Sequence, residues 1–134
     1  ESSLDPNLSA EGRARAERLV GVIGGYEPEA IFSSAFKRTR NTVAPLASRG
    51  ELRMMAQYYD HRNLKQIADL IMQGKYRRVV VVGHNSTTPA LANLLIGQEK
   101  YKALDESEYD KIWIVKIKRN KNKPHEVKEQ LITY

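Results

Sequence analysis

Leu64, Ile67, Ala68 and Ile71 recur at i, i+3, i+4 and i+7, which lays one apolar stripe along a helix that Gly74 closes. A second helix opens at Ser9, a side chain suited to capping, and runs to about residue 22. Leu19, Val20 and Ile23 mark its apolar side, and Gly24-Gly25 stops it. A short apolar run at 30–33 (A-I-F-S) suits a buried strand, and the helix expected over 37–47 ends at Gly50. Residues 52–57 make a weaker strand. The clearest strand is 78–82 (R-V-V-V-V), whose β-branched run suits a parallel strand covered on both faces. A helix over 88–96 follows, with Pro89 tolerated in its first turn. Residues 112–117 and 127–132 read as closing strands, an antiparallel pair around a basic tip. Helix and strand alternate, which predicts an α/β fold in three layers, α/β/α, with a mostly parallel sheet.

Composition narrows the chemistry. The length of 134 residues suits one domain. There is no cysteine, which excludes a disulfide scaffold, a cysteine-based zinc site and a thiol nucleophile. No purely apolar run is longer than the four residues of Val79–Val82, far too short to span a membrane. Twenty-two Lys and Arg against sixteen Asp and Glu give a net charge of +6, a balance that favours anionic partners. Much of the excess lies in 116–123 (K-I-K-R-N-K-N-K), between two strands, where a solvated hairpin tip is the simpler reading. That run has no aromatic residue to stack on bases, so nucleic acid is a disfavoured partner.

In open α/β sheets, ligands bind outside the carboxyl ends of the strands, beside helix N-termini. Two places qualify. At Ser33-Ser34-Ala35-Phe36-Lys37-Arg38 a strand gives way to a helix, and Arg38 either swings its planar fork toward an anion or makes a surface salt bridge. At Val82-Gly83-His84-Asn85-Ser86-Thr87 the glycine allows a tight turn that delivers His84 to the sheet edge. A histidine there donates to a phosphate oxygen or moves a proton near neutral pH, or is simply satisfied in its turn. Asn85, Ser86 and Thr87 supply amide and hydroxyl donors for an anion pocket, or caps for the next helix.

These residues carry a family resemblance. Residues 31–47 (I-F-S-S-A-F-K-R-T-R-N-T-V-A-P-L-A) resemble the S-S-x-x-x-R-(T/A)-x-(Q/D)-T-A segment of the histidine phosphatase, or phosphoglycerate mutase-like, superfamily. Residues 8–16 (L-S-A-E-G-R-A-R-A) resemble its L-(S/T)-x-x-G-x-x-(R/Q)-A helix start. Residues 79–91 resemble its V-V-x-V-(G/S)-H segment, in the G-H-S-N-T-x-P version of small bacterial members, and 108–115 look like their closing strand. The four segments stand in the family's order across nearly the whole chain. The resemblance implies a phosphoglycerate mutase-like fold and a phosphohydrolase that works through a phosphohistidine intermediate. Arg38 and His84 would then be the catalytic groups holding the phosphoryl oxygens, with Asn85 beside them. Its substrate would be a phosphorylated small molecule, a phosphoester or a phosphoprotein, phosphohistidine included. That chemistry requires no metal and no other cofactor. The most similar members are bacterial and often exported, which leans the expectation toward the periplasm.

One family element is missing from the sequence. The family's nucleophile lies in an Arg-His-(Gly/Ala) motif ending the first strand, upstream of the L-S-x-x-G helix, and this chain has no Arg-His pair. Its histidines are His61, His84 and His125, and none precedes Ser9. The expectation is therefore one domain over 1–134 that lacks the N-terminal strand and nucleophile, as a portion of a longer protein. A non-catalytic phosphate-binding pseudo-phosphatase is the alternative. Asp60 or Glu11 could serve as proton donor, although capping or solvation suits both better. His61 reads as an exposed or helix-capping residue, His125 as a surface residue, and Trp113 as part of the core or a sheet face.

Overall fold

The computed structural model describes residues 8–48, 56–105, 107–108, 110–120 and 122–134. Helix α1 (Ala10–Ile23) starts where expected: the Ser9 hydroxyl accepts a hydrogen bond from the Gly12 amide at 3.1 Å. Gly12 is small for a reason, since a Cβ there would lie 3.0 Å from the Leu8 side chain folded over the helix start. Past α1 the chain continues through a 3-10 turn, Gly24–Tyr26, so Gly24-Gly25 tightens the helix end before the chain leaves it.

Strand β1 (Ala30–Ser33) is buried throughout and leads to α2 (Lys37–Ala47). Strand β2 is only Gln57–Tyr58, so most of the expected 52–57 strand lies outside the described residues, as does Gly50. Helix α3 (Leu64–Gln73) is capped by Asn63 and closed by Gly74, whose φ of 77° suits glycine. Strand β3 (Val79–Val82), helix α4 (Thr87–Ile96), β4 (Lys111–Lys118) and β5 (Glu126–Thr133) complete the order.

The sheet of β2-β1-β3 is parallel, with Ala30 opposite Val79 and Ser33 opposite Val82. Side chains alternate across it and bury two cores. Ala30 and Phe32 pack with Tyr59, Ile67, Ala68 and Leu91, on the side of α3 and α4. Ile31, fully buried, packs with Leu19, Ile23, Val43 and Leu46, on the side of α1 and α2. The α/β expectation is borne out, with helices covering both faces of this sheet. Strands β4 and β5 pair antiparallel as a separate two-stranded sheet, Lys111 opposite Thr133 and Lys118 opposite Glu126.

The reading of β3 as fully covered needs correction: Val79 to Val82 are all half-buried. Both faces contribute to a core, but the edge away from β1 has no strand partner among the described residues. Val79 to Val82 line a cleft of about 1090 Å³ together with Ile112 to Ile117 of β4. The hairpin is tied to the helices at two points: Arg119 donates to the carbonyls of Ile71 (2.6 Å) and Met72 (3.0 Å) at the end of α3, and Glu129 in mid-β5 accepts from Lys100 and Tyr101. The Tyr134 amide donates to the Asp110 carbonyl and closes the hairpin's open end on itself. The described basic residues of the tip are exposed, as expected of a solvated hairpin, and Arg119 also reaches carbonyls at the end of a helix.

Candidate active site

Two neighbouring parallel strands end side by side, and their next residues meet. Ser34 follows β1 and is fully buried; His84 lies two residues beyond β3 and is half-buried. The Ser34 hydroxyl and His84 Nε2 share a hydrogen bond of 3.0 Å. Ser34 Oγ is also 2.8 Å from Thr39 Oγ1, and the Thr39 hydroxyl lies 2.9 Å from the Phe36 carbonyl to which it can donate. A serine–threonine pair thus ties the end of β1 to the first turn of α2 and fixes one ring nitrogen of His84.

Gly83 is required by crowding. A Cβ at this position would come within 2.7 Å of the Tyr59 hydroxyl and 2.8 Å of Thr87 Oγ1. Both crowding groups are employed. Tyr59 donates to the Val82 carbonyl at 3.0 Å, and Thr87 Oγ1 accepts from the His84 amide at 2.9 Å. Burial pushes the Tyr59 phenol up to about 12, so it remains a neutral donor. The turn that carries His84 is held from both sides.

Arg38, in the first turn of α2, lines the same cleft as His84. Burial holds His84 below the ordinary histidine value, with the neighbouring charges of His61 and then Arg38 adding to it. At neutral pH His84 is a neutral imidazole with one N–H to donate, beside a permanent cation. The corner is electropositive, sits at the N-terminal ends of α2 and α4, and suits an oxyanion.

The remaining candidates separate. Asn85 adjoins His84, but its side-chain amide donates to the Leu104 carbonyl at 3.2 Å and its own carbonyl accepts from the Leu104 amide. In this arrangement it anchors the segment after α4. Asp60 accepts from the backbone and side chain of Arg62 at 2.9 and 3.1 Å, and these bonds hold its carboxyl below the ordinary range. A group held as carboxylate is badly placed to give up a proton. Glu11 is exposed on the first turn of α1 and does not line the cleft.

His61 departs most from expectation. It is neither fully exposed nor a cap, since Asn63 caps α3. Its ring lies 5.0 Å from the His84 ring and 5.4 Å from Phe36, and Phe36 lies 5.0 Å from His84. Sequence reasoning missed Ser34, Thr39 and Tyr59 as well. Ser34 and Thr39 stand inside the S-S-x-x-x-R-T segment, which was the available signal; nothing in the sequence pointed to His61. His125 is an exposed turn residue that accepts from the Asn120 amide, as expected of a surface histidine. Trp113 stacks edge-on against Tyr101, and its buried Nε1 has no hydrogen-bond partner among the described residues.

Comparisons with known proteins bear on the family and the fold. The family model for the histidine phosphatase superfamily (branch 1) matches residues 1–58, the part that contains α1, β1 and α2 with Arg38. The resemblance to that superfamily is thereby borne out, and phosphatase function is supported. Among solved structures the chain is similar to the crystal structure of a protein assigned as the phosphohistidine phosphatase SixA from Agrobacterium tumefaciens. The two are 28% identical, with a TM-score of 0.59 over 74% of this chain and 68% of the other. Fold and family together support the phosphohistidine-phosphatase-like branch. No curated protein matches the chain closely enough to count as a relative. Among the described residues no helix is long and apolar enough to cross a membrane, and no group of three acidic, histidine or cysteine side chains could hold a metal.

Proposed function

We propose that Arg38 and His84 hold the phosphoryl group of a phosphohistidine-bearing protein or a phosphoester, in a phosphatase that works through a phosphohistidine intermediate. The observation that carries this reading is the Ser34–His84 hydrogen bond beyond the carboxyl ends of two adjacent parallel strands, with Arg38 near enough for its charge to act on His84. In the first step a histidine nitrogen attacks phosphorus, the bond to the leaving group breaks, and that group leaves with a proton. Water then attacks phosphorus, the N–P bond breaks and phosphate is released. Both transition states spread charge over the phosphoryl oxygens. The Arg38 guanidinium and the imidazole N–H of His84, whose ring Ser34 positions, lower their energy by opposing that charge.

The nucleophile in this reading is an Arg-His pair on a strand encoded upstream of residue 1. The outer edge of β3, without a strand partner among the described residues, and the cleft lined by both β3 and β4 support it. An extended segment there would pair with the β3 edge and fill the gap. The test is release of phosphate by the intact natural protein from a phosphohistidine-bearing protein and from an aryl phosphate. Arg38→Ala and His84→Ala should each lower kcat/KM about 10²–10³-fold. Turnover unchanged in both variants would overturn the assignment. Phosphate binding without turnover under any condition would make the protein a non-catalytic phosphate binder.

A further inference from the structure

We infer that His61 is a further anion-binding side chain of this corner, and that it and His84 together take up a proton when a phosphoryl dianion binds. The inference rests on the proposed role of Arg38 and His84. It begins from three rings, His61, His84 and Phe36, whose centroids lie 5.0–5.4 Å apart and which meet edge to face at 62° to 88°. Phe36 follows Ser34 by two residues, so the element that fixes His84 also sets the spacing of the two imidazoles. His61 lines the same cleft as Arg38 and His84.

The charges around the pair decide what it can bind. From α2 comes Arg38, whose positive charge acts on His84, and from the β3–α4 turn comes His84 itself. In the loop of His61, Asp60 pairs with Arg62 at 3.1 Å and its charge also acts on His61. Tyr59 is a neutral donor already committed to the Val82 carbonyl. The positive charge of Arg38 therefore falls on His84, while His61 carries the only nearby carboxylate interaction of these groups. Two rings at this separation do not both carry charge cheaply, because repulsion falls off slowly in a half-buried site. An anion placed against both rings removes that repulsion and rewards protonation of each. Binding of a dianion is then coupled to uptake of a proton from solution, with no covalent change. The same coupling favours dianionic monoesters over singly charged diesters.

The test is calorimetric titration of the intact natural protein with inorganic phosphate near pH 7, in two buffers of different ionisation enthalpy. Wild type should take up a measurable fraction of a proton per phosphate bound. His61→Gln should lose most of that uptake and bind about tenfold more weakly. His61→Phe, which keeps a ring against Phe36 but has no nitrogen, should behave as His61→Gln does. His125→Gln should match wild type. Wild-type affinity and proton uptake in His61→Gln and His61→Phe, with binding lost in Arg38→Ala, would overturn the inference and leave the Arg38–His84 site standing. Loss in His61→Gln but full binding and uptake in His61→Phe would also overturn it, since packing alone would then be the role. No phosphate binding by wild type would overturn both readings.

Discussion

The parallel sheet and the hairpin differ in composition and in burial: β1 and β3 are apolar runs, whereas β4 and β5 carry Lys and Glu along their length. Strand β1 has four residues, all buried, with a helical layer on each side. Strands β4 and β5 have eight residues each, and most of β5 alternates between exposed and half-buried. The two histidine-bearing turns follow the same division. His84 sits in a turn fixed by Ser34, Thr87 and Tyr59, whereas His125 accepts one backbone bond in an exposed turn. A side chain acquires precise placement when its neighbours' hydrogen bonds leave it one position. The turn after β3 meets that condition and the turn between β4 and β5 does not, which is why the candidate chemistry sits on the former.

That contrast has measurable consequences. The largest is in the core: Ile31→Ala removes a fully buried side chain from between α1 and α2 and should cost about 2–5 kcal/mol in urea unfolding. Leu131→Ala, at a site 41% exposed opposite Trp113, should cost no more than about 0.5 kcal/mol. Similar losses at the two positions would break the comparison.

A smaller effect concerns pH. Because His84 titrates below its ordinary value in the folded state, the unfolded chain binds a proton first as pH falls. Its contribution to stability is therefore complete above the ordinary histidine value and is lost as pH drops from there through the lowered folded value. Urea midpoints should fall between pH 7 and pH 5, a window above the range where most carboxylates titrate. His84→Gln should flatten that slope, while His125→Gln should keep it. A slope unchanged by His84→Gln would show that the turn does not hold this histidine as described.

Elements whose burial follows a simple period were legible in the sequence. The stripe of Leu64, Ile67, Ala68 and Ile71, the Ser9 cap, the Gly74 stop and the valine run all reappear near their expected boundaries. The placing of Arg38 and His84 at strand ends was equally legible, because strand, turn and helix follow one another in the chain. What was not legible depends on packing between distant segments. His61 meets His84 only because the loop after β2 lies against the turn after β3, a contact no local pattern encodes. The reach of Arg119, from the solvated charge run to carbonyls at the end of α3, is a contact of the same kind. The bond that Asn85 makes to the Leu104 backbone likewise joins distant segments that no local pattern relates. The half-burial of β3 likewise depends on what lies along its outer edge, which the valine run does not specify.

The central claim is that the Arg38–His84 corner receives a phosphoryl group. Its most direct test is a crystal structure of the intact natural protein at saturating orthovanadate, a stand-in for the phosphoryl group in flight. Vanadium bound beyond the ends of β1 and β3, with its oxygens within hydrogen-bond distance of both Arg38 and His84, is the predicted result. Vanadate bound elsewhere, or held there without either side chain, would contradict it.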